Sequence, residues 1–195
     1  MYEPATHEDS LSEDARPAEA LNEDAGSVAA QEVVSAVPDP EMPYITLGDL
    51  GVVGAVHVNE DARAVRVELT PTYLGCPATE VIQQDVKAAL LDAGWRSVAI
   101  ELRFEPPWTP DRITQQGRAK LAAEGIAPPS GHTGPKRADS GPVLVTLGRA
   151  PADVRCPHCG AARTDLLSAF GPAPCQELRR CASCREPFPA IKRAR

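Results

Sequence analysis

No stretch of this chain approaches the roughly 20 consecutive apolar residues of a bilayer-spanning helix, and the N-terminus lacks the basic and apolar regions of a secretory signal. The expected location is therefore the cytoplasm. Positive charge is also in short supply: 20 Lys and Arg stand against 27 Asp and Glu, a formal net charge of -7. That balance argues against broad attachment to nucleic acid or anionic lipid, both of which attract clustered cations. Aromatic residues are only 4% of the whole, and 195 residues suffice for one main core plus a smaller module, not for two large cores.

Proline is abundant by contrast. Its 20 copies are about twice the usual share, so much of the chain is expected as loop or linker. Residues 1–27 are acidic, with Arg16 as their lone Lys or Arg and few large apolar residues. Such a segment buries too little surface to offset the entropy of ordering it, and it reads as a disordered acidic tail able to contact a basic partner.

Residues 28–130 read as an α+β domain with a C-terminal extension. "VAAQEVVSAV", from Val28 to Val37, is a short helix ended by the prolines of "PDPEMP". "GVVGAVHV" and "ARAVRVELT" are two strands, with Val65, Val67 and Leu69 alternating against Ala64, Arg66 and Glu68. "PATEVIQQDVKAALLDAG" places Ile82, Val86, Ala89 and Leu90 at helical spacing, and Gly94 marks its end. In "SVAIELRFE", a third strand, Val98, Ile100, Leu102 and Phe104 share one face. The order β, β, α, β predicts a small mixed-sheet sandwich. A further helix is expected from about Asp111 to Glu124, with Trp108 pinning the preceding turn to the sheet. Residues 131–152 have linker composition, and 153–195 form a cysteine-rich terminus.

Six cysteines in a reducing compartment point to ligands or reactive thiols, not a disulfide framework. Four of them form two Cys-x-x-Cys pairs, Cys156 with Cys159 and Cys181 with Cys184. Each pair suits a knuckle that aims two thiolates at one cation, and four thiolates suit tetrahedral zinc in a zinc ribbon. "CPHC" alone also matches a thiol-redox pair, but the second pair favours metal; thiolates hold iron-sulfur clusters as well as zinc, so the spacing leaves the metal open. Cys175 is left over and reads as a small, partly buried residue near that site. His158 sits inside a knuckle, expected to point away from the metal. Arg155, Arg163, Arg179, Arg180, Arg185, Lys192, Arg193 and Arg195 make the terminus locally basic. That patch reads as a solvated face or a dock for an acidic partner, with nucleic acid as an alternative that the net acidity disfavours.

Cys76, in "TPTYLGCPATEVIQ", lies between a glycine and a proline where a loop enters a helix. With Pro77 as the first helical residue, Cys76 takes the N-cap position, where free N–H groups and the helix dipole favour a thiolate. A thiolate serves either covalent chemistry or soft-metal binding. His57 lies on a predicted strand and reads as a strand residue in preference to a catalytic base. Asp39 and Glu41 form the other polar cluster, stiffened by Pro38, Pro40 and Pro43; they serve either as a functional pair or as a turn capping the helix before them.

"DPEMPYITLGDLGVV" followed by "TPTYLGCPA" resembles the small domain of SufT-like iron-sulfur assembly proteins, whose signature maps onto Asp39, Pro40, Glu41 and Gly75, Cys76, Pro77. "PPWTPDRITQQGRAKLAAEGIAPP" with "CPHCG", "SAFG" and "CASCREPF" resembles the PaaD family, encoded with the phenylacetyl-CoA epoxidase of aerobic phenylacetate breakdown. The likeness spans about Val33 to Lys192. One departure is "FGPAPC", where Pro172 and Pro174 replace hydroxyl residues of the family pattern. The resemblance implies an accessory protein, not an enzyme, that helps install or repair an iron-sulfur or di-iron centre. Its implied partners are epoxidase subunits, the oxygenase or the iron-sulfur reductase. The implied cofactors are structural zinc on Cys156, Cys159, Cys181 and Cys184, and a transient iron or iron-sulfur cluster at Cys76, Asp39 and Glu41.

Overall fold

The computed structural model describes residues 25–72, 75–128 and 154–192; the acidic tail up to residue 24 and the linker lie outside the described residues. Helix α1 spans Ala25–Ala36 and starts three residues before the expected Val28. It buries Ala30 and Val34, four residues apart and so on one face of the helix. The Ser27 hydroxyl donates to the Val56 carbonyl at 2.9 Å, tying this helix to the sheet.

Strand β1 (Val53–Asn59) pairs antiparallel with β2 (Ala64–Leu69), and β2 pairs parallel with β3 (Ser97–Leu102). A parallel partner requires a crossover, which α3 (Thr79–Asp92) provides. The alternation expected in β2 holds: Val65, Val67 and Leu69 are buried. Val86 and Leu90 of α3 pack into the same core. Phe104 departs from its expected face: β3 stops at Leu102, and the Phe104 side chain is 47% exposed. Arg103 makes the last ladder bond, to the Leu69 carbonyl at 2.8 Å, and Pro106 and Pro107 beyond it have no N–H to extend pairing.

A short helix, α2 (Leu47–Leu50), falls where no helix was expected. Thr46 caps it: its hydroxyl accepts from the Asp49 N–H while the Asp49 carboxylate accepts from the Thr46 N–H, a reciprocal capping box. Gly51 ends it at φ 65°, where an added Cβ would collide with the Arg112 carbonyl. Trp108 is 1% exposed and lies in the same core as Val65 and Val67 of the sheet, and its indole N–H donates to the Leu50 carbonyl of α2 at 2.9 Å.

The helix expected from Asp111 is split. A 3-10 turn covers Pro110–Arg112, and α4 runs Gln115–Ala123 because the Thr114 hydroxyl caps it by accepting from the Gly117 N–H. Gly117 lets α4 approach the Asp49 backbone closely, and Lys120 then reaches the buried Asp49 carboxylate. Burial alone would push that carboxyl up, but Lys120 and the Thr46 groups hold it below its usual range.

Near the C-terminus, β4 (Thr164–Ser168), β5 (Gln176–Cys181) and β6 (Pro187–Ile191) form an antiparallel meander. Its own core is small and includes Val154, Cys156, Cys181 and Phe188. The segment after α4 joins its edge: the Ala127 N–H donates to the Pro189 carbonyl at 2.9 Å and the Ile191 N–H to the Ala127 carbonyl at 3.2 Å. Arg179 is not part of an exposed basic face. It is buried, paired with Glu177 at 2.6 Å and donating to both the hydroxyl and the carbonyl of Thr164. The architecture is α+β with two small three-stranded sheets. No helix among the described residues is long and apolar enough to cross a membrane.

Candidate metal centre and thiol pocket

The two Cys-x-x-Cys pairs converge. The Sγ atoms of Cys156, Cys159, Cys181 and Cys184 all lie within 4.8 Å of one another. Two of the separations, Cys156 to Cys184 at 3.7 Å and Cys159 to Cys181 at 3.5 Å, approach the edge of a tetrahedron with metal–sulfur bonds of about 2.3 Å, roughly 3.8 Å. The residues present therefore fit a four-thiolate zinc.

Local backbone builds each half of this cage. In the first knuckle the Gly160 N–H returns to the Cys156 carbonyl, with Gly160 at φ 74°. The second mirrors it: the Arg185 N–H bonds the Cys181 carbonyl, with Arg185 at φ 69°. The N–H groups of Cys184 and Ser183 point at the Cys181 sulfur and hold that thiol well below its ordinary range. His158 points away, its ring edge-on to Phe188 at 6.4 Å.

Cys76 does not occupy the N-cap of α3. The helix begins at Thr79 with Ala78 as its cap, and the Cys76 carbonyl accepts from the Thr79 N–H and hydroxyl. The expected lowering of its pKa is overturned as well: burial pushes the Cys76 thiol up, and the Glu41 and Asp39 carboxylates add to the rise against a backbone hydrogen bond from Ala78.

Asp39 is buried, and its Oδ1 accepts from the Glu41 and Met42 N–H groups, both at 2.9 Å. The side chain thus caps its own turn and not α1. Burial raises the Asp39 carboxyl despite these bonds, and burial together with Asp39 raises Glu41. Asp39, Glu41 and Cys76 line one cavity of about 40 Å³, and Cys76 also borders an open groove of about 380 Å³ whose rim includes Phe104. Among the described residues, neither lining contains a Lys, Arg or His.

A further polar group in that cavity is Cys175, which sequence alone placed near the ribbon cysteines. It is 9% exposed and packs, with Ala173 and Ile191, into the core of the first sheet. Burial, reinforced by Asp39, Glu41 and Cys76, pushes its thiol up to about 12.

The sequence matches the family model of the PaaD zinc beta ribbon domain over residues 140–192, and that of an iron-sulfur cluster assembly protein over residues 28–102. Over 160 residues it is 38% identical to a "Putative 1,2-phenylacetyl-CoA epoxidase" subunit of Escherichia coli, covering 82% of this chain and 88% of that protein. The chain belongs to the PaaD family. An Fe-S protein maturation auxiliary factor of Porphyromonas gingivalis is 36% identical over 86 residues, 44% of this chain and 80% of that protein. Its Bacillus subtilis counterpart, YitW, is 30% identical over 89 residues, 45% of this chain and 85% of that protein.

Within this PaaD-family chain, Cys76 thus lies in the part that matches the assembly model and Cys175 in the part that matches the ribbon model. The readable sign of Cys175's destination was its setting. In "FGPAPC" two prolines stiffen a turn that belongs to neither knuckle, so the cysteine after it is presented away from the cage.

Proposed function

We propose that this protein is a non-catalytic accessory factor that handles iron for the metal centres of a phenylacetyl-CoA epoxidase system. In this reading Cys156, Cys159, Cys181 and Cys184 hold a structural zinc, and Cys76 with Asp39 and Glu41 receives iron or an iron-sulfur cluster as cargo. The domain limits that go with it are 28–130 for the iron-handling part and 153–195 for the ribbon.

One observation carries the reading: a thiol and two carboxylates face one small cavity whose described lining holds no cationic side chain. A covalent nucleophile is helped by a lowered pKa, whereas burial pushes the Cys76 thiol up. A cation, in contrast, is attracted by the carboxylates and can displace the thiol proton to solvent. The relatives named for Fe-S maturation and for an epoxidase subunit support the same class of role.

The test is the zinc, iron and acid-labile sulfide content of protein purified without oxygen. One zinc per chain, with iron that is lost in Cys76→Ala while zinc stays, is the expected result. Iron retained in full by Cys76→Ala would overturn the assignment of that pocket.

A docking role toward the epoxidase subunits has an observation of its own. Leu167 and Phe170, on and just after β4, are 47% and 77% exposed, an apolar edge of the kind found at protein contacts. Stoichiometric co-purification with the oxygenase, unaffected by Cys76→Ala and lost on Phe170→Asp, would favour docking over iron handling.

A further inference from the structure

We infer that Cys175 is a second thiolate ligand of the Cys76 pocket, so that the iron-handling site is completed by the ribbon and straddles the two halves of the chain. The inference rests on the metal-handling reading of that pocket and adds a ligand to it.

Position comes first. The four ribbon sulfurs form a closed set among themselves, and Cys175 is no part of it. It lines the Cys76 cavity together with Asp39 and Glu41. A cysteine kept only for packing would be served by apolar neighbours, whereas Cys175 shares its cavity with two carboxylates and a second thiol. A cation between these groups would be attracted by all of them at once.

Its placement is also firmly held. The Lys192 N–H donates to the Cys175 carbonyl at 2.8 Å, and the Gln176 N–H closes a turn onto the Ala173 carbonyl at 2.9 Å. The buried Gln176 amide reaches the Met42 sulfur at 3.2 Å, across 134 residues of sequence and within the same turn that Asp39 caps. The ribbon is therefore keyed to the Asp39 loop at the residue next to Cys175.

The ligand class follows from the donors. Two thiolates and a carboxylate suit a thiophilic divalent cation such as Fe(II). Binding is balanced by two protons released to solvent, one from each thiol. Among the described residues only the ribbon cysteines bring three or more such ligand atoms within 4.8 Å. The pocket groups share a cavity without being gathered in that way, which suits an ion that is passed on, not a permanent cage.

Co(II) is the probe. The full chain, first given one equivalent of zinc, is titrated with Co(II) without oxygen at pH 8; zinc outcompetes cobalt for the ribbon, which leaves the pocket as the cobalt site. The expected result is a second bound metal with a sulfur-to-cobalt charge-transfer band, reduced to about half in Cys175→Ser and in Cys76→Ser because each removes one of two thiolates. Retained zinc and unchanged far-UV circular dichroism confirm that each variant is folded. In the wild-type chain, cobalt should also protect both Cys76 and Cys175 from alkylation, a readout that needs no variant. A band reduced by Cys76→Ser but not by Cys175→Ser, with Cys175 unprotected, overturns the inference and leaves the pocket assignment standing. No second metal in the wild type overturns both.

Discussion

The ribbon cage and the Cys76 pocket are both built on cysteine, yet they are assembled in different ways and set in different surroundings. At Cys181 two backbone N–H groups point at the sulfur and favour thiolate. At Cys76 and Cys175, burial and the Asp39 and Glu41 carboxylates favour the protonated form. The ribbon sulfurs are already gathered within 4.8 Å by two tight turns. The pocket groups come from the Asp39 turn, the loop before α3 and the ribbon turn before β5, and they are assembled only by folding. A set of four sulfurs gathered by its own backbone suits permanent metal. A protonated set held among carboxylates suits a metal that must arrive and leave.

The largest expected effect comes from breaking the prepared set. Apparent zinc binding in small structural sites is worth about 10–16 kcal/mol, so Cys181→Ser should lose the metal and unfold β4–β6. Hydrogen exchange should then show unprotected ribbon amides beside protected amides in β1–β3. Cys175, released from the first core, should be alkylated as fast as in urea. Ribbon amides that stay protected would mean that packing of Phe188 and Val154, not metal, holds this element.

A smaller effect appears in the alkaline limb of stability. Cys175 has its folded pKa raised to about 12. For such a group the contribution to stability is full below the unfolded thiol pKa, about 8.5, and is lost as pH rises toward the folded value. The wild-type urea midpoint should therefore fall between pH 8 and pH 10, and Cys175→Ser should flatten that fall. Equal slopes in the two proteins would show that this thiol does not resist ionisation.

The smallest effect sharpens the contrast from within the pocket. Asp39→Asn keeps an oxygen for the Glu41 and Met42 N–H groups but removes one negative charge facing both thiols. Alkylation of Cys76 and Cys175 at pH 8 should speed up by less than about tenfold, as expected when one like charge is removed. Ribbon cysteines in the same sample should not change. A uniform rise across all six cysteines would indicate loosening of the fold instead.

Much of the fold was legible in short-range pattern. Val65, Val67 and Leu69 alternate in sequence and are buried in β2; Val86 and Leu90 mark the inner face of α3. Helix α2 was passed over because four residues carry no periodicity, although Thr46, Asp49 and Gly51 are cap signals that could have revealed it. Phe104 continued the alternation of β3 on paper, but two prolines without N–H groups ended the ladder first. Arg179 counted as surface charge because its partners, Glu177 and Thr164, act only once β5 and β4 are paired.

What is local was already written in the chain: the two knuckles, each made within four residues, the period-two strand and the stripe of α3. Folding settled where Cys175 goes, that Cys76 is shielded instead of activated, and that Asp39, Glu41 and both thiols share one cavity. The reason is physical. Backbone geometry and side-chain periodicity act over a few residues, whereas burial and the fields of like charges depend on which distant segments meet, as the contact of Gln176 with Met42 shows.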